Sequence, residues 1–495
     1  MTTQELQKGS KRAKKSIKKA VIIRSMVAFH YMVQVALFLC CWIIFYRMPA
    51  ERGEYFVHNS TIAATYMLLL IVFNRIYAGY KVGLYRVSEL IHSQFFANIM
   101  SWGVTYFMAC IMAKKLLNPF MGFVCLVLQI GLGALWTILM NKVYYRLQKV
   151  KRTVALYRSR NDLQKIKELE ARRDKWQVEK YFCCRELIGE YDFDSKQEKS
   201  SDEDVVFIEN IDGDIQKIIE AINEYDAVLV TGVNASLRNG IAKHCVETGK
   251  DCYFVPHTGD VMVAGAMHMK AFSVPIFRIR RSSPSPEFLL IKRVFDILAS
   301  GIALLILWPL MLVTAIVIKS YDHGPAFYKQ TRLTKDGKTF EVLKFRSMKV
   351  SAESDGVARL ATENDDRITP VGKVIRAIRF DELPQLINIL KGDMSIVGPR
   401  PERPEIAEQY VKELPAFHLR LQVKAGLTGY AQVYGRYNTE PSDKLKMDLM
   451  YINNMSVIED LRLIMATVQI LFQKESTQGI ESNSLTAMGS NTNKQ

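Results

Sequence analysis

Thiol and imidazole side chains are scarce in this sequence, and their distribution excludes several kinds of chemistry. The 495 residues include eight cysteines, none of them beyond Cys252, and eight histidines, of which only His323 and His418 follow residue 268. The carboxy-terminal half therefore has neither a thiol nucleophile nor a cysteine-ligated metal. Two histidines so far apart also argue against a zinc site or a Ser-His-Asp hydrolase.

Acidic residues are nearly absent from two basic stretches. The formal net charge is +16; residues 1–24 hold eight Lys or Arg against one acid, and residues 141–160 hold seven and no acid. A basic chain can be a nucleic-acid binder. Since both stretches flank apolar runs, anchoring at a lipid bilayer is the favoured interpretation, and we expect no nucleic-acid partner. A content of 49% apolar and 23% charged residues excludes a disordered chain, a collagen and a small disulfide scaffold.

Long apolar runs dominate the first 145 residues. Four of them, each about 19–22 residues long, match the ~30 Å hydrocarbon core of a bilayer. They cover approximately residues 26–46, 62–80, 95–113 and 119–140. We predict four transmembrane helices within residues 25–145. Basic residues are most numerous before the first run and after the fourth, which places the basic N-terminus (1–24) and the chain after the fourth helix in the cytoplasm.

The middle of the chain changes from a charged pattern to an alternating one. Residues 146–180 are interpreted as a charged, helical connector. From 181 to 280, short β-branched runs alternate with helical patterns, which predicts a Rossmann-like α/β module with parallel strands. A dinucleotide-binding module would carry G-x-G-x-x-G after its first strand, and that motif is missing. A structural, dimerising or regulatory role is therefore favoured over nucleotide binding.

A fifth apolar run, at 297–318, is long enough to span a membrane, but two features favour a helix that enters and returns. Pro309 lies in the middle of the run, where it removes a backbone donor and kinks a helix. Basic residues flank both ends, and a spanning helix would move one flank across the membrane. We therefore predict a re-entrant helix over 294–319, with a spanning helix as the alternative. The tail at 475–495 is predicted to be disordered.

The densest chemical signal is a pair of adjacent carboxylates, Asp381 and Glu382, before a predicted helix. An acid just before a proline at a helix start is often only a cap. Here Arg376 and Arg379 precede the acids and the sequence GPRP (398–401) follows, and arginines at a helix start form an anion site. In such a site one carboxylate can attack phosphorus, while its neighbour holds Mg²⁺ and arginines stabilise the phosphoryl oxygens.

The segment from Lys292 to about residue 472 resembles the bacterial polyprenyl-phosphate phosphoglycosyl transferases, also called bacterial sugar transferases, in their large monotopic form. The resemblance rests on short segments in family order: KRVFDI, GPAFYKQTR, KFRSM, DDRITPVGKVIR, DELPQLINILKGDMSIVGPRP, KAGLTGYAQVYGR, DLMYINN and DLRLI. Together with the patterns above, it implies a membrane α-helical bundle, a Rossmann-like α/β module, and an α+β monotopic catalytic domain over 285–474 that contains the re-entrant helix.

The resemblance also implies roles for single residues. Asp381 would be the nucleophile and Glu382 the Mg²⁺ ligand, with Asp381 as a second ligand. Contacts with phosphate or uridine would come from basic residues at five positions: Lys344, Arg346, Arg376, Arg379 and Arg400. Asp460 matches a family acid near the C-terminal helices that would contact substrate, although a helix cap is an equally good interpretation. Pro309 would bend the membrane helix next to Trp308, where the family often has serine.

The implied reaction transfers a hexose-1-phosphate from a UDP-sugar to undecaprenyl phosphate, with release of UMP and an aspartyl phospho-sugar intermediate. Glucose or galactose is favoured as the sugar. The reaction would begin exopolysaccharide, capsule or O-antigen assembly at the bacterial inner membrane, with the catalytic domain on the cytoplasmic face, and a homodimer is expected. Two alternatives stay open: a non-catalytic membrane scaffold of a polysaccharide assembly complex, and a direct glycosyl transferase that releases UDP.

Overall fold

The computed structural model describes residues 3–46, 54–83, 85, 87–147, 150–170, 176–184, 205–208, 215–271, 274–282, 284–350, 352, 365, 367–435 and 439–471. The chain divides into two compact units, Met1–Pro256 and His257–Gln495. The tail at 475–495, predicted to be disordered, lies outside the described residues.

Four long helices open the first unit: α1 (Thr3–Phe45), α2 (Glu54–Ile76), α3 (Val87–Ala113) and α4 (Pro119–Leu147). Each is long and apolar enough to cross a membrane, so the four predicted runs are helices of spanning length. α1 begins at Thr3 and therefore continues through most of the basic stretch at 1–24. Many large apolar side chains on these helices are exposed, as is typical of helices that face lipid.

Polar side chains cross-link these helices inside the bundle. Gln34 of α1 donates to the backbone carbonyl of Gln129 in α4 at 3.1 Å, and Gln129 donates to that of Gln34 at 2.9 Å. Trp102 of α3 donates to the side-chain oxygen of Gln129 at 2.5 Å. Helices in lipid gain little from burying apolar surface against one another, so such bonds and close packing fix how they associate.

A five-stranded parallel sheet follows the helices, with strand order β3-β2-β1-β4-β5. The strands are β1 (Lys151–Tyr157), β2 (Trp176–Cys184), β3 (Val205–Ile208), β4 (Ala227–Val230) and β5 (Asp251–Phe254). The helices among the described residues of this module are α5 (Arg160–Glu170), α6 (Ile215–Ile222) and α7 (Ala235–Thr248). Buried aliphatic side chains on both faces of the sheet form the core, as in other parallel sheets.

The prediction of a helical connector at 146–180 is wrong. This segment contains β1, the central strand of the sheet, and its neighbour β2; among its described residues, α5 and the end of α4 are helical. Residues 153–157 of β1 are buried, so the sequence TVALY belongs to the core. The charges that suggested an exposed helix lie on α5 and on the strands themselves, where Arg152 of β1 pairs with Glu179 of β2 at 2.8 Å. The α/β module thus begins at Lys151 rather than at 181.

The strand order reverses between β1 and β4, the place where doubly wound sheets bind ligands. Here a side chain of the protein fills that place. The Asp162 carboxylate of α5 accepts hydrogen bonds from the Ser159 N–H and hydroxyl at 3.1 and 2.7 Å, and from Thr231 at 3.2 Å. A Cβ at Gly232, where φ is +71°, would lie 2.1 Å from that carboxylate. The negative charge repels a phosphate, in agreement with the missing glycine motif.

The second unit is built around α9 (Pro286–Asp322), which brings the helices of spanning length among the described residues to five. Before it come α8 (Thr258–Ala264) and an antiparallel hairpin of β6 (Met267–Ala271) and β7 (Val274–Arg278). After it come the antiparallel pair β8 (Phe327–Leu333) and β9 (Thr339–Phe345), joined by a 3-10 turn at Lys335–Gly337, and the parallel pair β10 (Ser395–Val397) and β11 (Gly426–Thr428).

Short helices surround these two pairs of strands. They are α10 (Pro370–Ala377), α11 (Gln385–Lys391), α12 (Pro404–Glu413), α13 (Tyr430–Tyr434), α14 (Pro441–Asn453) and α15 (Val457–Leu471). A 3-10 segment, Pro415–Gln422, follows α12. Apolar residues of α12, α14, α15 and the 3-10 segment share one core, and α9 packs against α10 and β9 in another.

α9 is longer than the predicted helix at 294–319 and is not interrupted. It begins after Ser285, whose hydroxyl accepts a hydrogen bond from the Phe288 N–H at 3.2 Å, and ends at His323, where φ is +56°. Its 37 residues correspond to about 55 Å at ~1.5 Å per residue, more than a ~30 Å hydrocarbon core. Pro309 removes one backbone hydrogen bond without ending the helix.

Two charged side chains near the start of α9 fasten it to the rest of the unit. Arg293 donates to the backbone carbonyls of Ile389 and Leu390, both at 2.7 Å. These carbonyls belong to the last turn of α11, where a cation also complements the helix dipole. Asp296 is buried and accepts a hydrogen bond from the Ile396 N–H of β10 at 3.1 Å. The membrane helix therefore holds α11 and β10 in place.

Asn388 joins α11 to β9. Its amide donates to the Glu341 carbonyl at 2.8 Å, and its oxygen accepts from the Leu343 N–H at 2.9 Å. Only 2% of the residue is exposed, so these bonds are shielded from water. They satisfy backbone groups of β9 that its single partner strand does not reach, and they set the distance between α11 and β9.

Replacing Asn388 by alanine should destabilise the second unit, because two shielded backbone groups of β9 lose their partner at a cost of roughly 1–3 kcal/mol each. Thermal unfolding of the protein in lipid nanodiscs measures this. Asn454→Ala is the matched control, since Asn454 is exposed and its amide donates to the Met450 carbonyl of its own helix. Equal midpoints for the two variants would contradict the bridging role.

Candidate active site

The carboxylate pair lies in a tight turn between two helices. Asp381 and Glu382 belong to a 3-10 turn, Phe380–Glu382, between α10 and α11. Arg379 precedes the turn with a φ of +57°, which is unusual for a residue with a side chain and redirects the chain. Pro384 then leads into α11, because proline is tolerated where a helix has no use for its N–H. The two acids therefore stand at the start of α11, as predicted.

Glu382 is buried and held by basic side chains from other segments. Its Oε1 atom accepts hydrogen bonds from Lys344 of β9 at 3.1 Å and from Arg400, just after β10, at 2.9 Å. Arg379 approaches Oε2 at 3.8 Å. Only 9% of Glu382 is exposed, and a carboxylate is tolerated at that depth when it is paired and hydrogen-bonded.

Asp381 differs from its neighbour in having no such partner. It is half-buried, and its carboxylate accepts no hydrogen bond from any residue that the structure describes. The positive charges of Lys344, Arg376 and Arg379 nevertheless act on it. Asp381 is therefore the acid of this pair that is available to a ligand, and it lies in a positive electrostatic field.

The two carboxyl groups titrate in opposite directions. Burial alone would raise the pKa of Glu382, but the charges of Arg400, Lys344 and Arg379 outweigh it and hold this pKa well below the ordinary value. Burial and the negative charge of Glu382 raise the pKa of Asp381, against the opposing effect of the basic residues. Acids whose pKa values are pushed apart are typical of sites in which they have different roles.

The predicted basic residues divide between two places. Lys344, Arg379 and Arg400 contact Glu382. Arg376, at the end of α10, acts on Asp381 through its charge. Arg346 is the exception: its buried guanidinium pairs with Asp322 in the last turn of α9. The structure thus places Arg346 at the end of the membrane helix rather than beside the two acids.

Asp460 also lies apart from the carboxylate pair, in a buried ion pair. One of its oxygens accepts from Lys292 of α9 at 2.5 Å, and the other accepts from the Tyr451 hydroxyl at 2.7 Å. These contacts join α15 to α9 and α14. The alternative of a helix cap is wrong, since Ser456 caps α15 by accepting from the Glu459 N–H at 3.2 Å. Asp460 is a structural link between helices in this arrangement.

A close crossing of two backbones positions Arg400. A Cβ at Gly426 would lie 2.0 Å from the nitrogen of Gly398, and a Cβ at Gly398 would lie 2.4 Å from the carbonyl oxygen of Lys424. A hydrogen bond from the Gly426 N–H to the Pro399 carbonyl, at 2.9 Å, stabilises the crossing. Glycine is required at both positions because any side chain would push the strands apart, and Arg400 follows directly.

Sequence reasoning missed a buried network behind Arg400. Arg420 donates to Glu402 at 3.2 Å and to the backbone carbonyl of Arg400 at 3.0 Å. It also pairs with Asp448 at 2.8 Å, and burial raises the pKa of that acid to about 6. The network stabilises the loop that carries Arg400. The PRPE segment draws attention to Glu402, but no local signal connects it to partners so far along the chain.

Mg²⁺ would find suitable oxygen ligands in the carboxylate pair. The described residues contain no cluster of three or more His, Cys, Asp or Glu side chains that could enclose a metal ion. Mg²⁺ needs no such cage, because it commonly binds one or two carboxylates and completes its shell with water and substrate phosphate. Asp381 accepts no hydrogen bond from a described residue, and the ion-pair partner of Glu382 Oε2 is 3.8 Å away, so both can offer an oxygen. The donor set fits.

Comparison with known families matches the second unit. The model of the bacterial sugar transferase family covers residues 288–474, which include the carboxylate pair and its basic partners. The UDP-N-acetylgalactosamine-undecaprenyl-phosphate N-acetylgalactosaminephosphotransferase of Aeromonas hydrophila is 43% identical over 191 residues, which cover 38% of this chain and 45% of that protein. A UDP-glucose:undecaprenyl-phosphate glucose-1-phosphate transferase of Klebsiella pneumoniae is 34% identical over 285 residues, 57% of this chain and 59% of that protein. The chain spans about half the length of these two relatives.

A shorter relative is matched over most of its length. The UDP-glucose:undecaprenyl-phosphate glucose-1-phosphate transferase of Caulobacter vibrioides is 38% identical over 211 residues, which cover 41% of this chain and 79% of that protein. The apolar helices and these relatives also agree that the chain is a membrane protein. A relative that is 38% identical and is matched over 79% of its length shows that the chain belongs to the bacterial sugar transferase family, whose model covers Asp381 and Glu382.

Proposed function

We propose that this chain transfers a hexose-1-phosphate from a UDP-sugar to undecaprenyl phosphate and releases UMP. The names of the relatives contain both a UDP-sugar and undecaprenyl phosphate. The proposal depends on the difference between the two carboxylates: Glu382 is locked by cations, whereas Asp381 accepts no hydrogen bond from a described residue. An unpaired carboxylate in a positive field is suited to attack on phosphorus.

In the first step an oxygen of Asp381 attacks the phosphorus that carries the sugar. The new oxygen–phosphorus bond forms as the bond to the bridging oxygen of the diphosphate breaks, and the electron pair leaves with UMP. The protein then carries an aspartyl phospho-sugar. Lys344, Arg376 and Arg400 would stabilise the negative charge on the phosphoryl oxygens during this transfer.

In the second step a phosphate oxygen of undecaprenyl phosphate attacks the same phosphorus. The acyl-phosphate bond breaks, its electron pair returns to the Asp381 carboxylate, and the sugar-1-phosphate becomes joined to the lipid phosphate as a diphosphate. The anionic acceptor needs no general base. Mg²⁺ held by Glu382 and Asp381 would offset the charge of the donor diphosphate when bound.

The acceptor is a lipid, so the site must lie at a bilayer, and α9 provides the connection. We propose that α9 is re-entrant, bent near Trp308 and Pro309, and that the catalytic unit lies on the cytoplasmic face of the bacterial inner membrane. Arg293 and Asp296 near the start of α9 would then fix the height of α11 above the membrane.

We also propose that the α/β module is Rossmann-like and has a structural or regulatory role. Its strand order reverses at the expected place, but Asp162 occupies the position that a phosphate would take. The names of the relatives specify glucose for one and N-acetylgalactosamine for the other. For this chain, glucose or galactose remains our prediction. A homodimer, and a place at the start of exopolysaccharide, capsule or O-antigen assembly, also remain predictions.

The re-entrant arrangement predicts that both ends of α9 are reached from the same side of the membrane. Glu287→Cys and Lys329→Cys introduce thiols at exposed positions in the first turn of α9 and in β8, which follows the helix. An impermeant thiol reagent applied to spheroplasts and to inverted vesicles should label both from the cytoplasmic side, in a background without native cysteines. Labelling of the two positions from opposite sides would show that α9 spans the membrane.

Asp381→Asn should lower UMP release by on the order of 10³-fold or more, because the amide cannot replace the carboxylate as nucleophile. The assay supplies membranes with Mg²⁺, undecaprenyl phosphate and a panel of UDP-glucose, UDP-galactose and UDP-N-acetylgalactosamine. Asp336→Asn, in the exposed turn between β8 and β9, is the matched control and should keep full activity.

The identity of the released nucleotide decides between the alternatives. UMP from one sugar supports the proposal and names the donor. UDP would show a direct glycosyl transferase. A folded protein that releases neither nucleotide from any sugar of the panel would favour the non-catalytic scaffold.

The opposite pKa shifts of the two acids predict a specific pH effect. Activity requires ionised Asp381, so it falls as the pH drops through a pKa that burial and the charge of Glu382 together hold above the ordinary value. Glu382→Gln removes that charge and leaves Lys344 and Arg400 to act on Asp381, so the acid limb of kcat/KM should move to lower pH while the rate itself falls.

Profiles of kcat/KM between pH 4.5 and 8 test this shift. Glu341→Gln, at an exposed position of β9, is the control and should keep the wild-type limb. A limb that stays in place or moves to higher pH in Glu382→Gln would show that the two carboxylates are not coupled in this way.

A further inference from the structure

Arg400 lies between two prolines, which limit both its backbone and the contacts that can hold it. Pro399 and Pro401 have no N–H, so the loop is anchored mainly through its carbonyl oxygens. A residue before a proline is restricted to extended conformations, and this restriction applies to Arg400. The carbonyls of Pro399 and Arg400 accept hydrogen bonds from Gly426 and Arg420. The position of Arg400 then depends on how the following residues of the loop are held.

The last two residues of β8 hold the end of this loop. Arg332 donates from Nη1 to the Pro401 carbonyl at 3.0 Å, and the Leu333 N–H donates to the Glu402 carbonyl at 2.9 Å. The Nη2 atom of Arg332 donates to the side-chain oxygen of Gln330 in the same strand. The guanidinium of Arg332 is thus oriented by its own strand while it binds the loop.

Arg400 directly precedes the residue whose carbonyl Arg332 binds. The proline ring fixes φ of Pro401, so a displacement of the Pro401 carbonyl is passed on to the peptide group of Arg400. The Nη2 atom of Arg400 donates to Glu382 at 2.9 Å, and its charge interacts with Asp381. We propose that Arg332 is a positioning residue that keeps the Arg400 guanidinium beside the carboxylate pair; this inference rests on the function proposed above.

The surroundings of Arg332 show that its charge is not placed there for an ion pair. The side chain is partly buried and forms no ion pair with a described residue. Burial lowers the pKa of its guanidinium to about 10, and the charges of Arg400 and Arg403 act in the same direction, against that of Glu402. A buried cation without a directly paired acid costs free energy, and such local costs are typical of functional sites.

A guanidinium suits this position because its planar fork donates in two fixed directions. One branch binds the Pro401 carbonyl and the other binds Gln330, so the loop is held at a defined place relative to β8. A lysine at the same position would keep the positive charge but has a single flexible ammonium group. An effect through charge alone and an effect through position therefore differ in their response to Arg332→Lys.

The test measures UMP release by the full chain in nanodiscs, with Mg²⁺, undecaprenyl phosphate and the UDP-sugar panel. Arg332→Lys and Arg332→Gln should each lower kcat about 10- to 100-fold, because displacing a catalytic group by about 1 Å can cost on the order of 10²-fold. In an Arg400→Ala background the same changes should lower kcat less than about threefold further, because the side chain that they displace is absent.

Lys329→Gln is the matched control, since it removes the same charge from an exposed position of β8 and should keep the wild-type kcat. Thermal unfolding of each variant in nanodiscs shows whether it is folded. If the Arg332 variants do not fold, Gln330→Ala replaces them: it leaves Arg332 in place but frees its second branch. Its smaller loss of kcat should likewise disappear in the Arg400→Ala background.

Three outcomes contradict the positioning role while the reaction itself stands. Wild-type kcat in Arg332→Lys would show that only the charge matters. Losses that multiply fully in the Arg400→Ala background would show that Arg332 acts independently of Arg400. An equal loss in Lys329→Gln would show a general effect of charge on β8. A wild-type protein that releases no UMP from any sugar would instead overturn the proposed reaction, and this inference with it.

Discussion

The buried carboxylate of Glu382 is the constraint on which the rest of the candidate site depends. A charge at that depth requires cations, and Lys344 and Arg400 provide them from two distant segments. The requirement brings together β9, the turn before α11 and the loop after β10. Glu382 takes the direct contacts with these cations, and Asp381 has no hydrogen-bond donor among the described residues although it lies in the same positive field. One acid is thus neutralised by cations while the carboxylate of its neighbour stays available.

The carboxylate pair is also joined to the membrane helix by a short chain of polar contacts. Arg293 of α9 holds the last carbonyls of α11, and Asn388 in the same helix holds the edge of β9 that carries Lys344. α11 is only seven residues long, so its two ends cannot move independently. The orientation of the acids is therefore tied to the position of α9.

Local patterns predict the parts of this molecule that local physics determines. Apolar runs of about 20 residues predict the long helices, because an apolar run of that length is typical of a helix that crosses a membrane and rare in other structures. β3 to β5 are predicted from their alternation with helices, whereas β1 and β2 are missed because charged flanks conceal short buried runs. Adjacent acids between arginines predict the carboxylate pair. The partners of Arg346 and Arg420 are not predictable, since which distant acid meets each guanidinium is decided by tertiary packing.

The contact between Gly398 and Gly426 limits how such a site can be altered in evolution or by design. No side chain fits between the two backbones, so neither position can accept a substitution without moving the strand that leads to Arg400. The loop that carries Arg400 is therefore rigid at the level of the main chain. A change in the ligand that this site accepts has to come from side chains on the surfaces around the loop, where volume and polarity can vary without disturbing the crossing.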